Sequence, residues 1–169
     1  MKNLNKHIFL IGMMGSGKSS VGKILARDIC SAFIDLDQEI INRSGKSIET
    51  IFNEEGEEIF RKLETETAFD LNMNEPSVVA TGGGFPLNET NLTWMRELGK
   101  IVWLKSSSEI ILKRIEHENR PLLPRPIKKE HIDSILNSRI SVYKQADLFI
   151  DTDRYDPEQI AKEIEDKLI

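Results

Sequence analysis

Cysteine is almost absent from this 169-residue chain, where Cys30 stands alone. One thiol makes no intramolecular disulfide and no cysteine-based zinc site. Histidine is nearly as scarce, and His7, His117 and His131 are too scattered to form a ligand pair in sequence. A surplus of positive charge is missing too. Lys plus Arg is 23 against Asp plus Glu 28, a formal net charge of −5, whereas a protein that tracks a nucleic-acid backbone needs a basic face. No long hydrophobic run occurs: the apolar stretch in MKNLNKHIFLIG is far too short to span a bilayer, and Gly12 interrupts it. Neither nucleic acid nor membrane is expected as a partner, and the chain reads as a cytoplasmic protein. Its length suits one domain with a real core.

What is present is an alternation. Apolar runs at His7–Ile11, Ala32–Asp35, Ser77–Thr81, Ile101–Leu104 and Leu148–Asp151 are separated by segments of helical period. Most runs are apolar throughout, as in strands of a parallel sheet covered on both faces by crossover helices. Lys18 to Ile29 carries Val21, Ile24, Leu25 and Ile29 at helical spacing, which leaves Cys30 as a packing residue at that helix's end. Helices are also expected over Asp37–Ser44, from a Ser47 cap to Gly56, over Glu57–Met73, Asn88–Leu98, Ser107 or Ser108 to Glu118, and Lys128–Gln145. The last helix has the clearest start: Asp156 as cap, Pro157 at the first position and Gln159 closing a capping box. Between two helices lies NRPLLPRPI, Asn119 to Ile127, a basic loop with three prolines.

The strongest chemical signal is GMMGSGKS, Gly12 to Ser19, which fits G-x-x-x-x-G-K-[ST] with a strand before it and a helix after. Its glycines let backbone N–H groups turn around an anion at a helix N-terminus. Lys18 places a point charge on the terminal phosphates, and the Ser19 hydroxyl suits Mg²⁺. This is a nucleoside-triphosphate site. No Asp-x-x-Gly switch or Asn-Lys-x-Asp base reader follows, and the central strand ends in ATGGG rather than an acidic pair. A small-molecule kinase is the reading left.

Three further groups of residues carry candidate chemistry. In FIDLDQEI, Asp35 and Asp37 share a face if the strand runs through both, so one carboxylate suits magnesium and the other an acceptor hydroxyl. A cap plus a solvated aspartate is the alternative. In GEEIFRKLE, Arg61 and Glu64 are one helical turn apart, and spacing alone favours a surface ion pair over a held ligand-binding arginine. Thr81-Gly82-Gly83-Gly84 follows a buried strand. Three glycines there suit a backbone that a ligand approaches closely, or else a simple tight turn.

Together, GMMGSGKSSVGKILA, FIDLDQEI, GKSIETIFNEEGEEIFRKLE, ATGGG, RPLL and the arginine and tyrosine of SRISVYKQAD resemble the shikimate kinase family across essentially the whole chain. The resemblance implies a three-layer α/β fold with a five-stranded parallel sheet in the order 2-3-1-4-5. It implies a single domain over residues 1–169, with a substrate-binding region at about 34–64 and a lid at about 114–127. The implied reaction is transfer of the ATP γ-phosphate to the 3-hydroxyl of shikimate, on the route to chorismate and aromatic amino acids. Lys18, Asp37 and Arg120 are the implied catalytic residues. Gly15, Ser16, Gly17, Lys18, Ser19, Ser20, Arg120, Arg154 and Pro157 would bind ATP, with Mg²⁺ on Ser19 and, through water, Asp35. Asp37, Phe52, Phe60, Arg61, Glu64, Gly82, Gly83, Gly84, Pro121, Leu122 and Arg139 would bind shikimate. A monomer is expected.

Three stretches depart from the family pattern. Ile140-Ser141-Val142 precedes Tyr143 without the usual proline, Phe85-Pro86 follows the glycines, and the stretch around Arg114, the position of an adenine-stacking arginine, is about one residue short. Two rival readings stand beside this one: a gluconate-type sugar-acid kinase, and a kinase-derived nucleotide-binding regulatory module.

Overall fold

The computed structural model describes residues 5–71, 73–115 and 121–169. Strands β1 (His7–Ile11), β2 (Ala32–Asp35), β3 (Ser77–Ala80), β4 (Gly99–Lys105) and β5 (Leu148–Asp151) form one parallel sheet in the order β2-β3-β1-β4-β5. The order places β1 at the centre, and every one of its residues is buried. Continuous apolarity is thus explained by covering on both faces. Leu10 pairs with Ala80 on one side and Val102 on the other, which sets the strand ends level.

Helices α1 (Lys18–Asp28) and α7 (Pro157–Leu168) cover one face, where Ile8 and Leu10 pack with Val21, Leu25, Ile160 and Ile164. Side chains alternate along a strand, so Phe9 and Ile11 point to the other face. There they meet α2 (Leu36–Ser44), α3 (Ile48–Phe69), α4 (Glu89–Leu98), α5 (Ser108–Ile115) and α6 (Lys129–Tyr143) through Ile40, Phe60, Met95, Ile111 and Ile132. The result is a three-layer sandwich. Asp156 accepts from the Gln159 N–H at 2.8 Å while Gln159 Oε1 accepts from the Asp156 N–H at 3.1 Å, the box expected at the start of α7.

Several local expectations are corrected. The strand does not run through both aspartates: β2 stops at Asp35 and α2 starts at Leu36, so Asp37 is a first-turn helical residue. Glu57–Met73 is shorter than expected, because α3 ends at Phe69. Gly56 does break the helical geometry there, at φ 85° and ψ 171°, a kink inside α3. Cys30 is exposed rather than packed, two residues past α1, with φ 55° turning the chain outward. Of the helix expected from Ser107 or Ser108 to Glu118, the structure describes Ser108–Ile115, and positions 116–118 lie outside the described residues. Despite the missing proline, α6 is one helix through Tyr143.

No helix among the described residues is long and apolar enough to cross a membrane.

Candidate active site

The phosphate-binding loop leaves the carboxyl end of β1 and enters α1 through Gly17, whose φ of 93° and ψ of 14° lie in the left-handed region. A glycine there costs no Cβ strain and turns the following N–H groups inward. Lys18 Nζ folds back over the loop and donates to the carbonyls of Gly12 and Met13, each at 2.9 Å. Ser19 Oγ donates to Asp35 Oδ2 at 2.5 Å, joining α1 to the end of β2. Met14, Gly15, Gly17, Lys18, Ser19, Ser20, Asp35 and Asp37 line the cleft above the loop, with Thr81 and Gly83 opposite. Ser16 lies beneath it, wholly buried, its Oγ without a protein partner.

A second cavity adjoins the first. It is lined by all the residues expected at an acceptor: Asp37, Phe52, Phe60, Arg61, Glu64, Gly82, Gly83, Gly84, Pro121, Leu122 and Arg139. Met14 and Ile48 complete it, and neither was singled out from sequence. The two cavities share Met14, Asp37 and Gly83, so Asp37 stands where they meet.

Charge in this second cavity is paired tightly. Arg61 Nη1 reaches Glu64 Oε2 at 2.6 Å, and Arg61 Nη2 reaches Glu57 Oε1 at 3.1 Å. Glu64 is fully buried, so the pair is not the surface ion pair that spacing alone favoured. Burial raises the Glu64 carboxyl to about 7 despite the opposing Arg61 charge. Arg139, only 5% exposed, sits against Met13, with Nη1 at 3.7 Å from the thioether sulfur.

The glycines explain how close these side chains come. A Cβ on Gly84 would stand 2.5 Å from the Arg61 guanidinium, and one on Gly82 2.1 Å from Glu64 Oε1. The triple glycine does form a tight turn, closed by the Phe85 N–H donating to the Gly82 carbonyl at 3.1 Å, and its missing side chains leave room for Arg61 and Glu64.

On the far side, Arg154 is exposed in the loop after β5, and Pro157 opens α7. Neither lines the phosphate cleft. Asp153 fixes that loop by accepting from Ser106 Oγ at 2.8 Å and the Ser107 N–H at 3.0 Å. Arg114 ties it to the phosphate loop, donating to the Gly15 carbonyl at 2.9 Å and the Thr152 carbonyl at 3.3 Å. Arg120 lies outside the described residues, although Pro121 and Leu122 after it reach the second cavity.

The Shikimate kinase family model matches residues 14–169. The chain belongs to the shikimate kinase family. A shikimate kinase from Sulfurihydrogenibium sp. (strain YO3AOP1) is 41% identical over 164 residues, covering 96% of this chain and 98% of that protein. The solved shikimate kinase from Acinetobacter baumannii, in complex with shikimate, is 33% identical with a TM-score of 0.91, covering 96% of this chain and 92% of that one. A gluconokinase from Sinorhizobium meliloti 1021 covers 96% of this chain and 90% of its own at a TM-score of 0.64, but at 19% identity it shares the fold alone.

No local sequence signal marks Met14 or Ile48 as a lining residue. Met14 occupies a free position of the phosphate-loop pattern, and Ile48 looks like any apolar residue on a helix face. Only the fold turns both towards one cavity.

Proposed function

We propose that this chain transfers the γ-phosphoryl group of ATP to the 3-hydroxyl of shikimate, giving shikimate 3-phosphate and ADP. The observation that carries the reading is the cavity in which Asp37, Arg61 and Arg139 lie together, opening onto the phosphate loop at Asp37. Shikimate is an anionic, hydroxylated ring, and two guanidinium groups beside an acidic residue suit such a molecule. The Acinetobacter baumannii relative, solved with shikimate, supports the same acceptor here.

Phosphoryl transfer asks for alignment and charge neutralisation more than for covalent chemistry. The loop N–H groups and Lys18 hold the phosphates. Lys18 then exchanges its two carbonyl partners for phosphate oxygens, an exchange its flexible stem allows. Arg61 and Arg139 hold the carboxylate and thereby turn one hydroxyl towards the donor. Phe52 and Phe60, 4.6 Å apart between ring centres, wall the ring in. Asp37, at the junction of the cavities, accepts the hydroxyl proton as the bond to phosphorus forms. Arg120, assigned from the RPLL motif, closes over the transferring group and keeps water out. Arg154 and Pro157 flank the adenine.

Magnesium fits the residues at the loop. Ser19 Oγ and Asp35 Oδ2 are hard oxygen donors already within 2.5 Å of each other. This ion takes few protein ligands and fills its shell with phosphate and water. Ser19 would hold it directly and Asp35 through water; bound there, it supplies positive charge to the phosphates.

The rival readings fare worse. Kinship with the gluconokinase is limited to fold, and a regulatory module would not need Lys18, Asp37, Arg61 and Arg139 gathered around two joined cavities. A coupled ADP-release assay with shikimate, gluconate and no acceptor decides among them. Release should depend on shikimate; release driven by gluconate instead, or by neither acid, overturns the proposal.

A further inference from the structure

Tyr143 ends α6 one helical turn after Arg139 and is fully buried. Its hydroxyl donates to the Gly83 carbonyl at 2.6 Å, across 60 residues of sequence. Its ring is held from the sheet side by Trp103 of β4, with ring centres 5.6 Å apart. Gly83 itself is hemmed in. A Cβ there would stand 3.0 Å from Arg139 Nη1 and 3.2 Å from the Gly12 carbonyl oxygen. Gly83 is also one of the three residues common to the phosphate cleft and the acceptor cavity.

We propose that Tyr143 is a positioning residue for the acceptor: its grip on the Gly83 carbonyl locks the triple glycine in register with Arg139 on the same helix. The peptide unit is planar, so fixing the Gly83 carbonyl also fixes the direction of the Gly84 N–H. Without the hydroxyl that peptide unit is free to rotate. Arg139 then loses the wall that keeps its guanidinium aimed, while the phosphate loop, which Gly83 also borders, keeps an anchor of its own through Lys18 to Gly12 and Met13. Tyr143 therefore acts through Gly83 and Arg139 and touches neither substrate.

This inference rests on the acceptor reading above, and its test keeps the two apart. Tyr143→Phe retains the ring and its packing and deletes only the hydroxyl. Trp103→Phe softens the same packing and keeps the hydroxyl. Both are compared with the unaltered enzyme for the KM of shikimate, the KM of ATP, kcat and melting temperature. Tyr143→Phe should raise the shikimate KM roughly ten-fold, the scale of one buried hydrogen bond, with the ATP KM unchanged and kcat altered less. Trp103→Phe should lower the melting temperature and leave the shikimate KM near normal. An unchanged shikimate KM in Tyr143→Phe overturns the proposal. So does an equal rise in both KM values, or an equal rise in Trp103→Phe, since each is what loosened packing alone would produce. If the unaltered enzyme fails to turn over shikimate, the acceptor reading itself has failed.

Discussion

Arg61 and Glu64 meet at 2.6 Å in α3, yet only Glu64 is sealed from water, while 26% of the Arg61 side chain remains exposed. The buried partner thus anchors the cation at one end, and the other end stays available to the cavity. Asp37 and Arg139 face the same carboxylate, the first raising and the second lowering its proton affinity. Burial outweighs the rest and holds Glu64 at about 7.

This pair makes stability depend on pH in a defined direction. In the unfolded chain Glu64 titrates near the ordinary glutamate value, and in the fold near 7. A raised carboxyl favours the folded state fully below its unfolded pKa, and that contribution fades as pH rises through 7. Between pH 5 and 8 the difference is on the order of 3 kcal/mol. Melting temperature measured across that window should fall for the unaltered protein, with a shallower fall for Glu64→Gln. Identical slopes would show that Glu64 does not carry the linkage.

Replacing Arg61 or Arg139 by lysine keeps the charge and removes the planar fork. A charge-assisted contact of this kind is worth about 1.5–3 kcal/mol, so shikimate affinity by calorimetry should fall roughly ten- to a hundredfold in each variant. ATP affinity should stay near normal in both. Normal shikimate binding in the two variants would move the acceptor site elsewhere.

Lys18→Ala should lower turnover by several orders of magnitude, because it removes a charge from the phosphates where the transition state needs it. Its melting temperature should stay close to normal, since Lys18 is partly exposed and its ammonium group lies over the loop carbonyls of Gly12 and Met13 rather than in the core. Turnover near that of the unaltered enzyme would remove Lys18 from the phosphate site.

Much of this architecture is legible in the chain itself. Unbroken apolar runs mark strands covered on both faces, and the glycines and lysine of the phosphate loop fix β1 and α1. Local patterns do not reveal what covers a side chain. Helical spacing made Arg61 and Glu64 an ordinary surface pair, and only the packing of α3 beneath Gly82 and Gly84 sealed Glu64. Cys30 looked like a core residue because periodicity does not foresee a left-handed turn just past a helix end. Asp35 and Asp37 line one cleft, but across a strand-to-helix junction rather than on one face of a strand. The Tyr143 bond to Gly83 bridges two distant segments, and no local rule pairs them.

Asp37 carries the chemistry in this account, and the most direct measurement is of the product. Enzyme, ATP, magnesium and shikimate should yield one shikimate 3-phosphate for each ADP, with phosphorus on the 3-hydroxyl by nuclear magnetic resonance. Asp37→Asn should cut that yield per unit time far more than it weakens ATP binding. ADP formed without phosphorylated shikimate, or phosphate on another hydroxyl, would contradict the assignment of this cavity.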